Sequence, residues 1–221
     1  MNILGIHDGH TATACLISNG EVLHNISEER FTKKKGQGGF PVKAVEYILR
    51  TSNLSSSELD YIGLVGHVKP LTSILQYEEG RQSIFPRLVK HIPVNPRLLI
   101  KQYVNNAQKK RLKDASLLKN INKLGLPIDK VKVVEHHQTH AAAAYYTSKF
   151  YQNSTKTLVF TLDGSGDGLA GTVSVVDDKG HWERLKEIST FDSLGVVYGR
   201  ATQLLAMKPW EHEYKLSLIH I

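Results

Sequence analysis

Three short runs rich in apolar residues, each bounded by polar turn residues, open the chain. NILGIH (2–7), TATACLIS (11–18) and EVLHNIS (21–27) each predict a short strand. Asp8-Gly9 separates the first two runs and Asn19-Gly20 the next two, and Asn-Gly between apolar runs is a strong hairpin signal. VKAVEYILRTS, at about 42–52, spaces its apolar residues for a helix, with Pro41 suited to the first turn. Ser55 to Leu59 reads as a turn into another short helix, and YIGLVG at 61–66 as a buried strand. Residues 70–128 read as mostly helical, broken at Pro86, Pro93, Pro96 and Pro127. VKVVEHH at 131–137 predicts a strand, and the alanine-rich QTHAAAAYYTSKFY at 138–151 a helix.

The opening pattern then returns. KTLVFTLDGSGDGLAGTVSVVDDKGHWERLKEIS gives strand, glycine-aspartate turn, strand, Lys179-Gly180 turn and strand again, followed by a helix at about 195–206. Such self-similarity signals duplication, with a chance match of two hairpins as the bland alternative. Two strand-strand-strand-helix units facing each other predict an α/β chain with the duplicated actin-like, ribonuclease-H-like fold. The first subdomain covers 1–155 with a helical insertion at about 70–128, and the second starts over 156–216. In that architecture the turn after the first strand of each half aims backbone N–H groups at a phosphate. The expectation is a phosphate-binding cleft served by both turns.

Composition narrows the class. With 41% hydrophobic and 22% charged residues the chain falls outside collagen-like, coiled-coil and disordered compositions. The single cysteine, Cys15, excludes an internal disulfide framework and reads as a core residue. Asp8 interrupts the N-terminal apolar run too early for a signal-peptide core, and no apolar run reaches membrane-spanning length, so a cytoplasmic protein is expected. The net charge is +7, and Lys101 to Lys132 alone holds nine Lys/Arg against Asp114 and Asp129. Leu117, Leu118, Ile121 and Leu124 recur there at helical spacing, so the charge reads as a solvated helix face rather than a nucleic-acid patch. Tyr103 is the one aromatic residue in that segment, too few to interleave as a stacking platform.

Three clusters carry candidate chemistry. In Glu135-His136-His137-Gln138-Thr139-His140, the four-residue spacing of His136 and His140 would put both imidazoles on one helix face, close enough to share a metal. His137 and His140, three apart, could do the same, and a histidine pair with no ligand is the bland alternative. Asp163-Gly164-Ser165-Gly166-Asp167-Gly168 follows a strand. Its small residues would let backbone approach an anion, Ser165 adds a hydroxyl, and Asp163 could ligate a cation. Two histidines and a carboxylate with open positions suit non-haem iron, with zinc or manganese as alternatives. In Ser27-Glu28-Glu29-Arg30-Phe31-Thr32-Lys33-Lys34-Lys35, the basic residues could pin a phosphate or carbamoyl oxygen, or form a solvated loop. His10, in the first turn, could donate to a reacting carbonyl or phosphate.

GIHDGHTATACLI, NGEV, SEERFTKKK, FP, EHHQTHAAAAYY, LDGSGDG and SLGVVYGRATQLL…EYK occur in the order found in O-carbamoyltransferases of the NodU/CmcH type, enzymes that modify nodulation factors and antibiotics. The resemblance runs from residue 2 to about 215. It implies a metal-bearing domain similar to the tRNA threonylcarbamoyl-adenosine synthase. In the family a separate C-terminal domain makes carbamoyl-adenylate from carbamoyl phosphate and ATP. The metal-bearing domain then passes the carbamoyl group to a hydroxyl of a small-molecule acceptor. Carried over by motif, His136, His140 and Asp163 would be metal ligands, with iron as the ion and a further carboxylate expected beyond residue 221. His10 and Lys35 would contact the carbamoyl or phosphate moiety, and Gly164, Ser165, Gly166 and Asp167 would line the nucleotide site. The chain departs from the family by stopping part-way through the second half, and Ser217 to Ile221 reads as a non-native tail, so the chain alone is expected to lack transfer activity. The competing readings are another actin-like metal-dependent ATPase, such as the tRNA-modifying relative, and a basic RNA-binding module.

Overall fold

The computed structural model describes residues 1–68, 96–153, 155–208 and 212–218. The expected helical insertion is described from Pro96 onward. Its first part, with Pro86 and Pro93, lies outside the described residues, as do residues 219–221 of the expected tail. By backbone contacts the chain forms two compact units, Met1–His136 and His137–Ile221. This grouping by contact differs from the boundary between the two sequence copies at 155/156.

In the first unit, β1 (Asn2–His7), β2 (Thr13–Ser18) and β3 (Glu21–Ser27) make an antiparallel meander, and β4 (Tyr61–Val65) and β5 (Val131–Val134) add to the other edge of β1 in parallel. The order β3-β2-β1-β4-β5 is the ribonuclease-H-like sheet expected from the sequence. Alternation decides the faces: Leu4, Ile6, Ala14, Leu16, Ile62 and Leu64 point to one buried side, and Cys15 lies half-buried on the other. After a short helical turn, α1 (Glu29–Thr32), the helix α2 (Val42–Thr51) lays Ala44, Val45 and Ile48 on that core. Its N-terminus is held by Glu28, whose buried carboxylate accepts the N–H groups of Lys43 and Ala44 at 3.1 and 2.8 Å.

The insertion supplies α3 (Pro96–Arg111) and α4 (Ala115–Lys123). Helix α4 follows its periodicity, with Leu117 and Ile121 buried in the core and the lysines outside. Along α3, Lys101, Lys109 and Lys110 are exposed as a solvated face requires, but Arg111 is not. It is buried, and its Nη2 meets Asp8 Oδ1 at 2.5 Å while its Nε donates to the Gly66 carbonyl at 3.1 Å.

The second unit starts with α5 (His136–Tyr146), whose first residue is also the last of the first unit, and the short α6 (Lys149–Gln152). The strand predicted to reach residue 137 stops at Val134, and helix begins at His136. Next come β6 (Thr157–Gly166), β7 (Leu169–Val176) and β8 (Trp182–Ser189), an antiparallel meander in that order. The helices α7 (Leu194–Leu204) and α8 (Glu213–Leu218) close the unit. Strand, strand, strand, helix thus recurs, as in the first unit. Ala141 and Tyr145 of α5 pack with Val159, Val176 and Trp182. Leu194, Val197 and Leu204 of α7 are exposed, so this helix presents apolar surface to solvent. No helix among the described residues is long and apolar enough to cross a membrane.

Candidate metal centre

Helix α5 fixes the spacing of the two histidines before anything else acts on them: His136 is its first residue and His140 lies one turn on. The carboxylate arrives from a different element. Within β6, Leu162 pairs with Gly171 and Gly166 with Leu169, so three residues, Asp163 to Ser165, stand opposite the single Ala170. This bulge re-aims the strand where Asp163 sits. Ligand atoms of His136, His140 and Asp163 lie within 4.8 Å of one another, and His140 Nε2 is 3.5 Å from Asp163 Oδ2. The Gly164 N–H donates to Asp163 Oδ1 at 2.6 Å, which orients the carboxylate and turns its other oxygen to the histidine. The side chains of His140 and Asp163 are 54% and 37% exposed, so the cluster is reached from solvent. Two imidazoles and a carboxylate fit a first-row divalent ion of the iron, zinc or manganese kind.

His137, left open by spacing alone, has another place. Its ring is fully buried, with Nδ1 2.9 Å from Thr161 Oγ1 and Nε2 3.1 Å from the Leu169 carbonyl. Both nitrogens face protein partners, and the histidines that come together with Asp163 are His136 and His140.

The glycine-aspartate segment is chiefly a hairpin. Asp167 and Gly168, with φ of 52° and 82°, make its two-residue turn, the geometry of a type I′ connection. Gly164 spends its N–H on Asp163, and Ser165 Oγ is hydrogen-bonded to Thr190 Oγ1. The bulge rests on the N-terminus of α7. There Ser193 caps the helix through Val196 N and donates to the Gly164 carbonyl at 2.7 Å. A Cβ on Gly195 would stand 2.9 Å from Gly164 Cα and 3.2 Å from the Asp163 carbonyl oxygen. Gly195→Ala should therefore cost about 1–3 kcal/mol of stability, read from urea unfolding, as backbone shifts to admit the methyl group. Gly199→Ala, whose Cβ would meet nothing nearer than Glu213 Oε1 at 3.8 Å, should be neutral or stabilising in the same helix.

In the first unit His10 is exposed at the first turn, and its carbonyl accepts from the His7 ring at 3.0 Å and the Thr11 hydroxyl at 2.6 Å. Burial pushes the His7 imidazole below its ordinary range, against the smaller opposing effect of the His10 carbonyl. Lys35 is exposed in the loop after α1. That loop is brought to the first turn by backbone: Gly39 N–H donates to the Gly9 carbonyl at 3.1 Å, and Ala12 N–H to the Gln37 carbonyl at 2.8 Å. Glu29 holds the same loop through Gly36 N–H at 2.9 Å. The carboxylates of the SEERFTKKK segment thus build the loop that presents its lysines. Sequence reasoning missed these carboxylate roles and Arg111. Nothing local pointed to either: Glu28 caps a helix that begins at Val42, and Arg111 meets Asp8 from the end of α3.

A family model described as carbamoyltransferase N-terminus matches residues 2–220. An uncharacterized protein of Methanocaldococcus jannaschii is 32% identical over 214 residues, covering 97% of this chain and 32% of that protein. An uncharacterized protein of Synechocystis is 31% identical over 97% of this chain and 34% of its own length. The nodulation protein NolNO of Sinorhizobium fredii is 26% identical over 96% of this chain and 27% of its own length. The chain thus spans about a third of the length of these curated relatives. Among solved structures, YeaZ from Pseudomonas aeruginosa matches at a TM-score of 0.39 and 12% identity, over 85% of this chain and 66% of that one.

Proposed function

The chain belongs to the carbamoyltransferase N-terminus family, and we propose that it is the metal-bearing domain of an ATP-dependent O-carbamoyltransferase acting on a hydroxyl of a small-molecule acceptor. The observation that carries this reading is the convergence of His136, His140 and Asp163 within 4.8 Å, in a member of that family. In the proposed reaction the carbamoyl group is delivered as carbamoyl-adenylate, made from carbamoyl phosphate and ATP by an adenylate-forming domain. The acceptor oxygen bonds to the carbamoyl carbon, the bond from that carbon to the AMP phosphate oxygen breaks, and the hydroxyl proton is lost to a base or to water.

A bound divalent ion, iron first, would polarise the carbamoyl carbonyl and stabilise charge developing on its oxygen. The chain's own groups do the rest. His136 and His140 would hold the ion from one helix face, and Asp163, with Oδ1 already committed to Gly164, would offer Oδ2. His10 and Lys35 supply a ring N–H and an ammonium from two segments tied together by backbone hydrogen bonds, suited to a carbonyl or phosphate oxygen. Gly164, Ser165, Gly166 and Asp167 form the hairpin against which the nucleotide would lie. The charge of the insertion, displayed on exposed lysines of α3, gives no second reading of comparable weight.

Joined to an adenylate-forming domain and given carbamoyl phosphate, ATP and a panel of hydroxyl acceptors, the domain should form acceptor O-carbamates detectable by mass spectrometry, whereas residues 1–221 alone should form none. The His140→Ala variant should form at least about 100-fold less, since such metal effects are worth several kcal/mol. Equal product from the variant would remove the metal site from the mechanism.

A further inference from the structure

We propose that His137 is a positioning residue, which sets the rotation of α5 so that the imidazoles on either side of it face Asp163. The proposal rests on the reading of His136, His140 and Asp163 as the ligand set. Its ground is a directed hydrogen-bond chain. The Leu169 carbonyl can only accept, so Nε2 of the buried ring donates to it, while Nδ1 meets the Thr161 hydroxyl at 2.9 Å. Thr161 Oγ1 in turn accepts the Thr172 N–H at 2.9 Å and lies 2.8 Å from Thr172 Oγ1, so the contacts continue onto β7. All three side chains are buried.

The chain joins the elements that must agree for a ligand set to exist. Thr161 lies on β6, two residues before Asp163, whereas Leu169 and Thr172 lie on β7. His137 lies in the first turn of α5, between the two ligand histidines. Apolar packing through Ala141 and Tyr145 holds α5 against the strands but leaves it free to turn or slide by small amounts. Hydrogen bonds at both ring nitrogens are directional and fix that freedom. A buried polar network is also costly to assemble, and an apolar side chain of similar volume would fill the site at lower cost. Its location at the ligand pair is what this cost returns.

The test uses Co²⁺ as a probe of nitrogen and oxygen sites, with affinity from titration and ligand geometry from the visible absorption bands. Folding is checked separately by circular dichroism. His137→Leu, which fills the space without the hydrogen bonds, should fold and bind Co²⁺ about 10–100-fold more weakly, the range for loss of partners that orient ligands. Its absorption bands should change in shape. His137→Gln, whose amide can donate to Leu169 and accept from Thr161, should recover most of the affinity. Thr161→Val removes one hydroxyl from the same chain and should weaken binding in the same direction; it decides the matter where His137→Leu does not fold. Wild-type affinity and spectrum in a folded His137→Leu or Thr161→Val variant overturn the proposal. Loss in both His137→Leu and His137→Gln as complete as in His140→Ala would make His137 a ligand and overturn it too. No Co²⁺ binding by the wild type, or no effect of His140→Ala, would instead sink the ligand set itself and the proposal with it.

Discussion

His140→Ala should lower the affinity for Co²⁺ by at least about 100-fold and leave the fold standing. Loss of groups that merely orient a ligand already costs about 10–100-fold, and here the ligand itself is removed. The side chain is about half exposed, so its loss opens no cavity. Alanine is also the best helix former in that position of α5, so unfolding in urea should move by no more than about 0.5 kcal/mol. Asp163→Asn should weaken binding as well, because it keeps an oxygen for the Gly164 N–H but removes the charge that a divalent ion requires. A stability loss without loss of affinity would show that the three side chains meet for structural reasons. Metal affinity and urea midpoint together separate the two outcomes.

The parts of this arrangement that were legible in the sequence are those set by neighbours along the chain. The apolar runs that hold Leu4, Ile6, Ala14 and Leu16, and the Asn19-Gly20 turn between strands, specify a hairpin because residue type and turn chemistry are local. The four-residue spacing of His136 and His140 is likewise local once a helix forms. Choosing between His136 and His137 was beyond spacing, because the choice depends on Thr161 and Leu169, which come from strands 24 and 32 residues away. The strand predicted over 131–137 ended early for a related reason. Glu135 and the histidines carry no alternation that would mark where pairing with β4 stops, and the helix starts as soon as it does. The glycine-aspartate segment was legible as a turn next to a strand. The bulge that turns Asp163 outward depends on Ser193 and on the close approach of Gly195, both on a helix some 30 residues later.

Arg111→Met should destabilise the first unit by about 3–5 kcal/mol, the usual cost of leaving one member of a buried ion pair without its partner. The side chains of Arg111 and Asp8 are 1% and 5% exposed, and 103 residues separate them. Of the nine basic residues from Lys101 to Lys132, Arg111 is the one whose charge is fully withdrawn from water. Withdrawal is offset by two contacts, to Asp8 and to the Gly66 carbonyl, while Nη1 is buried with no hydrogen-bond partner among the described residues. Methionine can occupy the space of the arginine stem, so the cost falls on the stranded Asp8 carboxylate rather than on a cavity. Asp8 stands in the turn that leads from β1 to His10, and α3 otherwise offers solvent mostly exposed side chains over residues 101–110. The pair therefore ties the insertion to the turn that displays a candidate catalytic histidine. The double variant Asp8→Asn/Arg111→Met should be more stable than Arg111→Met alone, because removing the second charge removes the larger part of the desolvation cost. Urea unfolding of the four proteins in the cycle measures this coupling. A cost below about 1 kcal/mol for Arg111→Met, the level of a surface pair, would show that the contact contributes little and that apolar packing holds the insertion in place.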